Sequence, residues 1–379
     1  MGDTTGYLIV GICAMTVTFL TTPFVRAVAR VKNWVAVPDE RKVHTVPTPE
    51  VGGIAMFAGV MCALLLAWNM DRFSPLFDGN SELLGVVLGA MVVLGIGVMD
   101  DIREVSAPAR VFGVIVTGMI LVAAGVTMFY FRIPFLGVIQ LSNDWVPIVT
   151  IVWLLGMTQA INLIDGLDGL AAGIVAIGST AFFIYAQHLA GLGLLSEPNI
   201  GPLIAIITVG VCVGFLPFNF NGASIFMGDS GAYLLGFLVA VSTSVVGGRA
   251  DPTTQAFSGQ TYFFLAPLAI PLIILGVPVF DVAFAIVRRV INRQGLAHAD
   301  KGHLHHRLIA LGHGPRRAVA ILWSWTALLS AFVLYPVFNN SAKNFAPFGL
   351  LALVLFLYTV LHPDLPKKKE DESNSVKAE

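Results

Sequence analysis

Eleven stretches of this chain stay apolar for close to the length of a bilayer crossing, and that repetition limits the fold more than any motif does. A spanning helix needs about 20 mostly apolar residues. The runs cover residues 7–26, 51–68, 83–99, 111–130, 146–164, 170–189, 203–218, 231–246, 262–287, 318–337 and 345–362. Only 12% of the residues are charged, against about 25% in a soluble domain, so a water-soluble fold is excluded. The expectation is an all-α polytopic membrane protein with about 11 transmembrane helices. The first run lacks a basic leader and a small-residue cleavage site, and reads as a retained helix rather than a signal peptide. Cys13, Cys62 and Cys212 all sit inside apolar runs, which argues against a disulfide framework or a cysteine metal site.

Lys and Arg set the orientation. With the N-terminus outside, the cytoplasmic segments hold 18 of the 22 basic residues, leaving Arg72, Arg132, Arg249 and Lys343 on the other side. The reverse orientation would break the positive-inside rule. An odd number of spans then puts the C-terminus in the cytoplasm. The same topology brings five polar segments into one compartment: residues 38–53, 100–110, 162–169, 219–231 and 288–317. The outside loops are plain connectors. Charge clusters scattered at random would not sort this way, and a single active site on the cytoplasmic face would. Residues 1–362 read as one transmembrane catalytic domain carrying a His/Arg-rich loop at 288–317. Residues 363–379 read as a disordered cytoplasmic tail.

Each segment has a plain reading and a chemical one. In Asn162-Leu163-Ile164-Asp165-Gly166-Leu167-Asp168-Gly169, two carboxylates stand at the edge of hydrocarbon, where an ionised group loses hydration. They suit a cation or phosphate site, or else a polar turn in which Asp165 caps the next helix. Asp100-Asp101 places two acids side by side, which repel unless a cation or a shared proton offsets them. That suits Mg²⁺ or a raised-pKa base, against a solvated helix end. Asn219 through Gly231 offers amide and carboxylate oxygens together with the aromatic face of Phe226. Lys42 and His44 precede Gly52-Gly53 at a helix start, whose free N–H groups would suit an anion; the alternative is a basic loop on anionic lipid. His303, His305, His306 and Arg307 form the densest cluster, and phosphate fits it better than zinc because no accompanying ligand pattern is present. Acids, amides, cations and glycines on one membrane face together suggest Mg²⁺-assisted phosphoryl transfer between a soluble and a lipid substrate.

These five motifs, in this order, resemble the polyprenyl-phosphate N-acetylhexosamine-1-phosphate transferases. The His-Leu-His-His-Arg-Leu form at residues 303–308 looks like the WecA/TagO branch of that family rather than the MraY branch. The resemblance implies transfer of N-acetylglucosamine-1-phosphate from UDP-GlcNAc to undecaprenyl phosphate with release of UMP, at the bacterial cytoplasmic membrane, as a first step of cell-envelope glycan synthesis. It implies Mg²⁺, which Mn²⁺ could replace. Asp229 would be a principal metal ligand, with Asn219 supporting. Asp100 or Asp101 would bind metal or deprotonate the lipid phosphate, and the resemblance leaves open which does which. Asp165 and Asp168 would line the nucleotide site beside Asn162, and Phe226 would stack on uracil. His303, His305, His306 and Arg307 would contact phosphates or the sugar, with Lys42 and His44 nearby. The family departs from this chain around Glu104. A homodimer is an expected option, and nucleic acid is not an expected partner. The rival classes are a proton-coupled transporter, a zinc intramembrane hydrolase and a membrane scaffold. The transporter reading predicts ionisable residues at mid-membrane depth, and here the acids stand at the ends of runs.

Overall fold

The computed structural model describes residues 4–36, 47–79, 81–128, 130–133, 137–195, 198–247, 276, 308–309, 311–338 and 345–361. The chain opens with α1 (Thr5–Val31), then β1 (Val35–Ala36) and β2 (Thr48–Pro49), and α2 (Gly53–Trp68). A 3₁₀ turn at Asp71–Phe73 leads into the short α3 (Ser74–Phe77), which leaves α2 at 93°. Next come α4 (Glu82–Arg103), α5 (Ala107–Ala123), and the hairpin of β3 (Tyr130–Ile133) and β4 (Gly137–Gln140). The remaining helices are α6 (Trp145–Ile164), α7 (Leu170–Gly191), α8 (Gly201–Asn219), α9 (Gly228–Gly247), α10 (Pro315–Phe338) and α11 (Ala346–Leu361).

Among the described residues, seven helices are long and apolar enough to cross a membrane, or eight if the bent α2–α3 pair is one span. The protein is mostly helical and multi-pass. Helices α5 and α11 are apolar but only 17 and 16 residues long. The apolar run expected at 262–287 lies outside the described residues. The other expected runs each coincide with a helix, because backbone in hydrocarbon must satisfy its own hydrogen bonds.

One helix is the post around which the others stand. Of the membrane-spanning window of α9, 94% is buried, so its apolar residues face protein on every side. It packs against α2, α4, α6, α7 and α8. Trp153 of α6 donates its indole N–H to Thr243 Oγ1 of α9 at 3.0 Å, tying two helices inside the bundle. Helix α11 is the opposite case: none of its residues is buried, and Leu350, Phe356 and Leu361 are exposed, as suits a helix bathed in lipid.

Glycines allow the helices to meet at the N-terminal end of α9. A Cβ on Gly97 of α4 would collide with the Ser230 backbone, and one on Gly53 of α2 would collide with the Ser230 and Gly231 backbone. Gly228 has φ +69°, and a Cβ there would strike the Glu50 carbonyl and the Asp101 carboxylate. Three helices thus approach backbone to backbone around Asp229, which fixes the site described next.

Candidate active site

The polar segments meet at the N-terminal end of α9, and their hydrogen bonds sort them into two groups. The first group holds loops in place. Asp101, in the last turn of α4, accepts the Asp229 N–H on Oδ1 at 2.7 Å and the Ser230 N–H on Oδ2 at 3.1 Å. It therefore caps two of the amides that a helix start leaves unpaired. Asp168 accepts the Gly222 and Ala223 N–H groups on a single oxygen, both at 2.9 Å. Asn219, at 2% exposure, accepts the Gly169 N–H at 3.0 Å and donates to the Ile225 carbonyl at 3.2 Å. Asn219 and Asp168 are the clasps between the 162–169 turn and the 219–228 loop.

The Gly52-Gly53 pair also belongs to the scaffold, which corrects the reading of its amides as free anion donors. Gly52 N–H donates to the Phe226 carbonyl at 3.0 Å and Gly53 N–H to the Met227 carbonyl at 3.1 Å. Phe226 N–H in turn donates to the Pro49 carbonyl at 2.7 Å. Residues 49–53 and 226–227 are thereby stitched together. Half-buried Phe226 is held by its backbone on both sides.

The second group faces inward with side chains left for chemistry. Asp229, in the first turn of α9, receives a short hydrogen bond from Asn162 Nδ2 on Oδ1. The Asp100 carboxyl lies within hydrogen-bonding reach of Asp229. Asp100 also accepts the Val105 N–H at 2.6 Å, and a charged bond from Arg110 Nη1 on Oδ2 at 2.8 Å. The same Arg110 nitrogen lies 3.7 Å from Asp229 Oδ2. Two carboxylates about 4 Å apart repel by about 4 kcal/mol at the effective dielectric of a protein surface, so this pair calls for a cation or a shared proton. Tyr233, one turn along α9 from Asp229, is buried beneath the pair and hydrogen-bonds Gln159.

Asp165 ends α6 at the edge of this group. Burial, reinforced by the nearby Asp229, Glu50 and Asp168 carboxylates, pushes its carboxyl up to about 8. Without a bound cation it is largely protonated at neutral pH. A cation placed among these acids would draw it back toward the ionised form.

The acid pair fits a magnesium ion. Mg²⁺ is commonly held by one or two carboxylates, with water and substrate phosphates completing the shell. Asp100 and Asp229 supply that number, with the Asn162 amide beside them. Among the described residues no group of three or more His, Cys, Asp or Glu side chains forms a complete metal cage. Glu104 is exposed, with φ 44°, beyond the end of α4. Of the residues expected at the site, Lys42, His44, His303, His305, His306 and Arg307 lie outside the described residues. Arg110, Tyr233, Gln159 and Glu50 join the site without having been expected there. Tyr233 had a usable signal, since four residues after Asp229 puts it on the same helix face. Arg110 reads in sequence only as one more juxtamembrane cation.

Fold and site together define a multi-pass membrane protein with an acid-lined site at one end of its bundle. Residues 83–247 match glycosyl transferase family 4. The chain is 34% identical over 355 residues to the decaprenyl-phosphate N-acetylglucosaminephosphotransferase of Mycobacterium leprae, spanning 92% of this chain and 87% of that protein. It is 33% identical to the probable undecaprenyl-phosphate N-acetylglucosaminyl 1-phosphate transferase of Bacillus subtilis, spanning 92% of this chain and 89% of that protein. A Thermotoga maritima undecaprenyl-phosphate α-N-acetylglucosaminyl 1-phosphate transferase is similar at 24% identity over 91% of this chain. The chain belongs to this family of polyprenyl-phosphate N-acetylhexosamine-1-phosphate transferases.

Proposed function

We propose that this protein transfers N-acetylglucosamine-1-phosphate from UDP-GlcNAc to a polyprenyl phosphate, undecaprenyl phosphate by preference, and releases UMP. The observation that carries the reading is the Asp100–Asp229 pair at the buried end of the central helix, poised for a cation. The names of the relatives in Mycobacterium leprae and Bacillus subtilis support the donor sugar and the lipid acceptor.

In this reading an oxygen of the lipid phosphate forms a bond to the β-phosphorus of the donor. The bond from that phosphorus to the oxygen bridging the two phosphates breaks, and UMP leaves with the electron pair. A phosphate monoester has its second pKa near about 6, so at neutral pH most of the nucleophile already lacks its proton. Asp100 or Asp101, whichever is not on the metal, takes the remainder. Asp229 and Asp100 would hold Mg²⁺, which when bound supplies neutralisation of the charge spreading over the diphosphate. Asn162 orients Asp229, and Asp101 orients the helix end that carries it. Asp165 and Phe226 border the nucleotide, with Phe226 as the stacking face for uracil, while Asp168 and Asn219 keep the loop beneath it in register. Lys42, His44, His303, His305, His306 and Arg307 supply phosphate and sugar contacts.

An arrangement of about eleven spans, with N-terminus out and C-terminus in, would put this chemistry on the cytoplasmic face, where nucleotide sugars are available. The distribution of basic residues supports that orientation. The test is UMP release by purified protein in detergent with undecaprenyl phosphate and Mg²⁺. UDP-GlcNAc, UDP-GalNAc and UDP-MurNAc-pentapeptide are offered in parallel. Release with UDP-GlcNAc, abolished by EDTA, is the expected result. Release only with the pentapeptide donor, or release undiminished by EDTA, contradicts the reading.

A further inference from the structure

We infer that Arg110 is a phosphate-binding residue that holds the acid pair only while the site is without metal and substrate. The inference rests on the reading of Asp100 and Asp229 as the cation site. Arg110 Nη1 lies 2.8 Å from Asp100 and 3.7 Å from Asp229, so it reaches toward both carboxylates that would hold a divalent ion. Both contacts run through one nitrogen, whereas a settled arginine–carboxylate pair is commonly forked. The side chain is 32% exposed, against 6% for Asp100, so the guanidinium has room to turn while its partner does not.

Its place in the chain points the same way. Arg110 lies in the first turn of α5, where the helix dipole disfavours a cation. The arginine therefore does not serve the helix that carries it, and its charge serves the site. Charge bookkeeping then decides where it goes. Asp100, Asp229 and Arg110 sum to one negative charge, and a divalent cation brings the cluster to one positive charge with Arg110 repelled by the newcomer. The donor diphosphate and the lipid phosphate bring fresh negative charge to the same opening. A guanidinium matches phosphate oxygens with paired N–H groups, so the released side chain turns to them.

Arg110→Ala and a control, Asp229→Asn, are made in the full chain. Mn²⁺ affinity without substrate is read by paramagnetic resonance, and KM is measured separately for polyprenyl phosphate and for UDP-GlcNAc. The expected Arg110→Ala result is a pair of opposed shifts, each about tenfold: tighter Mn²⁺ binding, and a higher KM for at least one substrate. The substrate whose KM moves identifies which phosphate the arginine takes. A merely structural arginine would weaken both measurements together. Arg110→Lys keeps the charge without the fork, so Mn²⁺ affinity should stay near wild type while KM remains raised. Unchanged or weaker Mn²⁺ binding in Arg110→Ala overturns the inference, as do two unchanged KM values. If Arg110→Ala does not assemble, an unchanged pair of KM values in Arg110→Lys overturns it. Wild-type protein whose Mn²⁺ binding is indifferent to Asp229→Asn would instead remove the cation-site reading beneath it.

Discussion

Asp229→Asn lowers the rate of UMP release by about 10²–10³-fold or more, the scale on which single charge-stabilising groups at active sites act. The substitution keeps the shape of the side chain. The Asn162 amide can still donate to the remaining carbonyl oxygen, and the Asp229 and Ser230 N–H groups still reach Asp101. The variant should therefore purify in the same state as the wild type, with its loss confined to turnover and metal affinity. Asp100→Asn should fall nearly as far, since it removes the other half of the pair. The two losses should not add, because either substitution already spoils the same cation site. Steady-state rates together with Mn²⁺ affinity of the single and double variants check this. Near-normal turnover in Asp229→Asn would mean the acid pair is scaffolding.

Gly97→Ala should cost the protein its assembled state, a larger effect than any surface substitution. Alanine in place of glycine ordinarily stabilises a helix interior, by about 1 kcal/mol. At Gly97 that gain meets a collision: the new Cβ would lie 2.8 Å from the Asp229 carbonyl carbon and closer still to the Ser230 backbone. Backbone at a helix start cannot turn away as a side chain can. Overpacking costs about 1–3 kcal/mol where the surroundings can yield, and more where they cannot. We expect a net loss, seen as a lower unfolding temperature in detergent or a shift to aggregate on size exclusion, with the α4–α9 contact parting first. Gly95, two residues earlier in α4, has open space where its Cβ would go and serves as the control. Gly95→Ala should be neutral or stabilising.

The contrast between these two positions shows how much the amino-acid pattern disclosed. The apolar runs located the helices well, because bilayer thickness and backbone hydrogen bonding leave few alternatives. The residues gathered at the site were also legible in large part, since buried acids at the edge of hydrocarbon are costly without a use. What each acid does was not legible. Asp100 and Asp101 are neighbours in sequence, but successive helix residues point about 100° apart. One therefore turns to Arg110 and Asp229 while the other caps α9. Asp165 and Asp168 divide in the same way, one facing the acid cluster and the other bonded to the 222–223 backbone. Arg110 could not be told from the other juxtamembrane cations until α5 was set against α4. Gly97 looks in sequence like Gly95, and only the packing separates them.

The most direct measurement follows the β-phosphate. UDP-GlcNAc labelled with ³²P at the β-position, and in a second sample at the α-position, is incubated with purified protein and undecaprenyl phosphate. The lipid phase is then extracted. The account predicts that the β-label enters the lipid one-for-one with the sugar, while the α-label stays in water as UMP. Sugar reaching the lipid without the β-label, with UDP left behind, would contradict it, because the bond broken would then be the glycosidic one rather than the diphosphate.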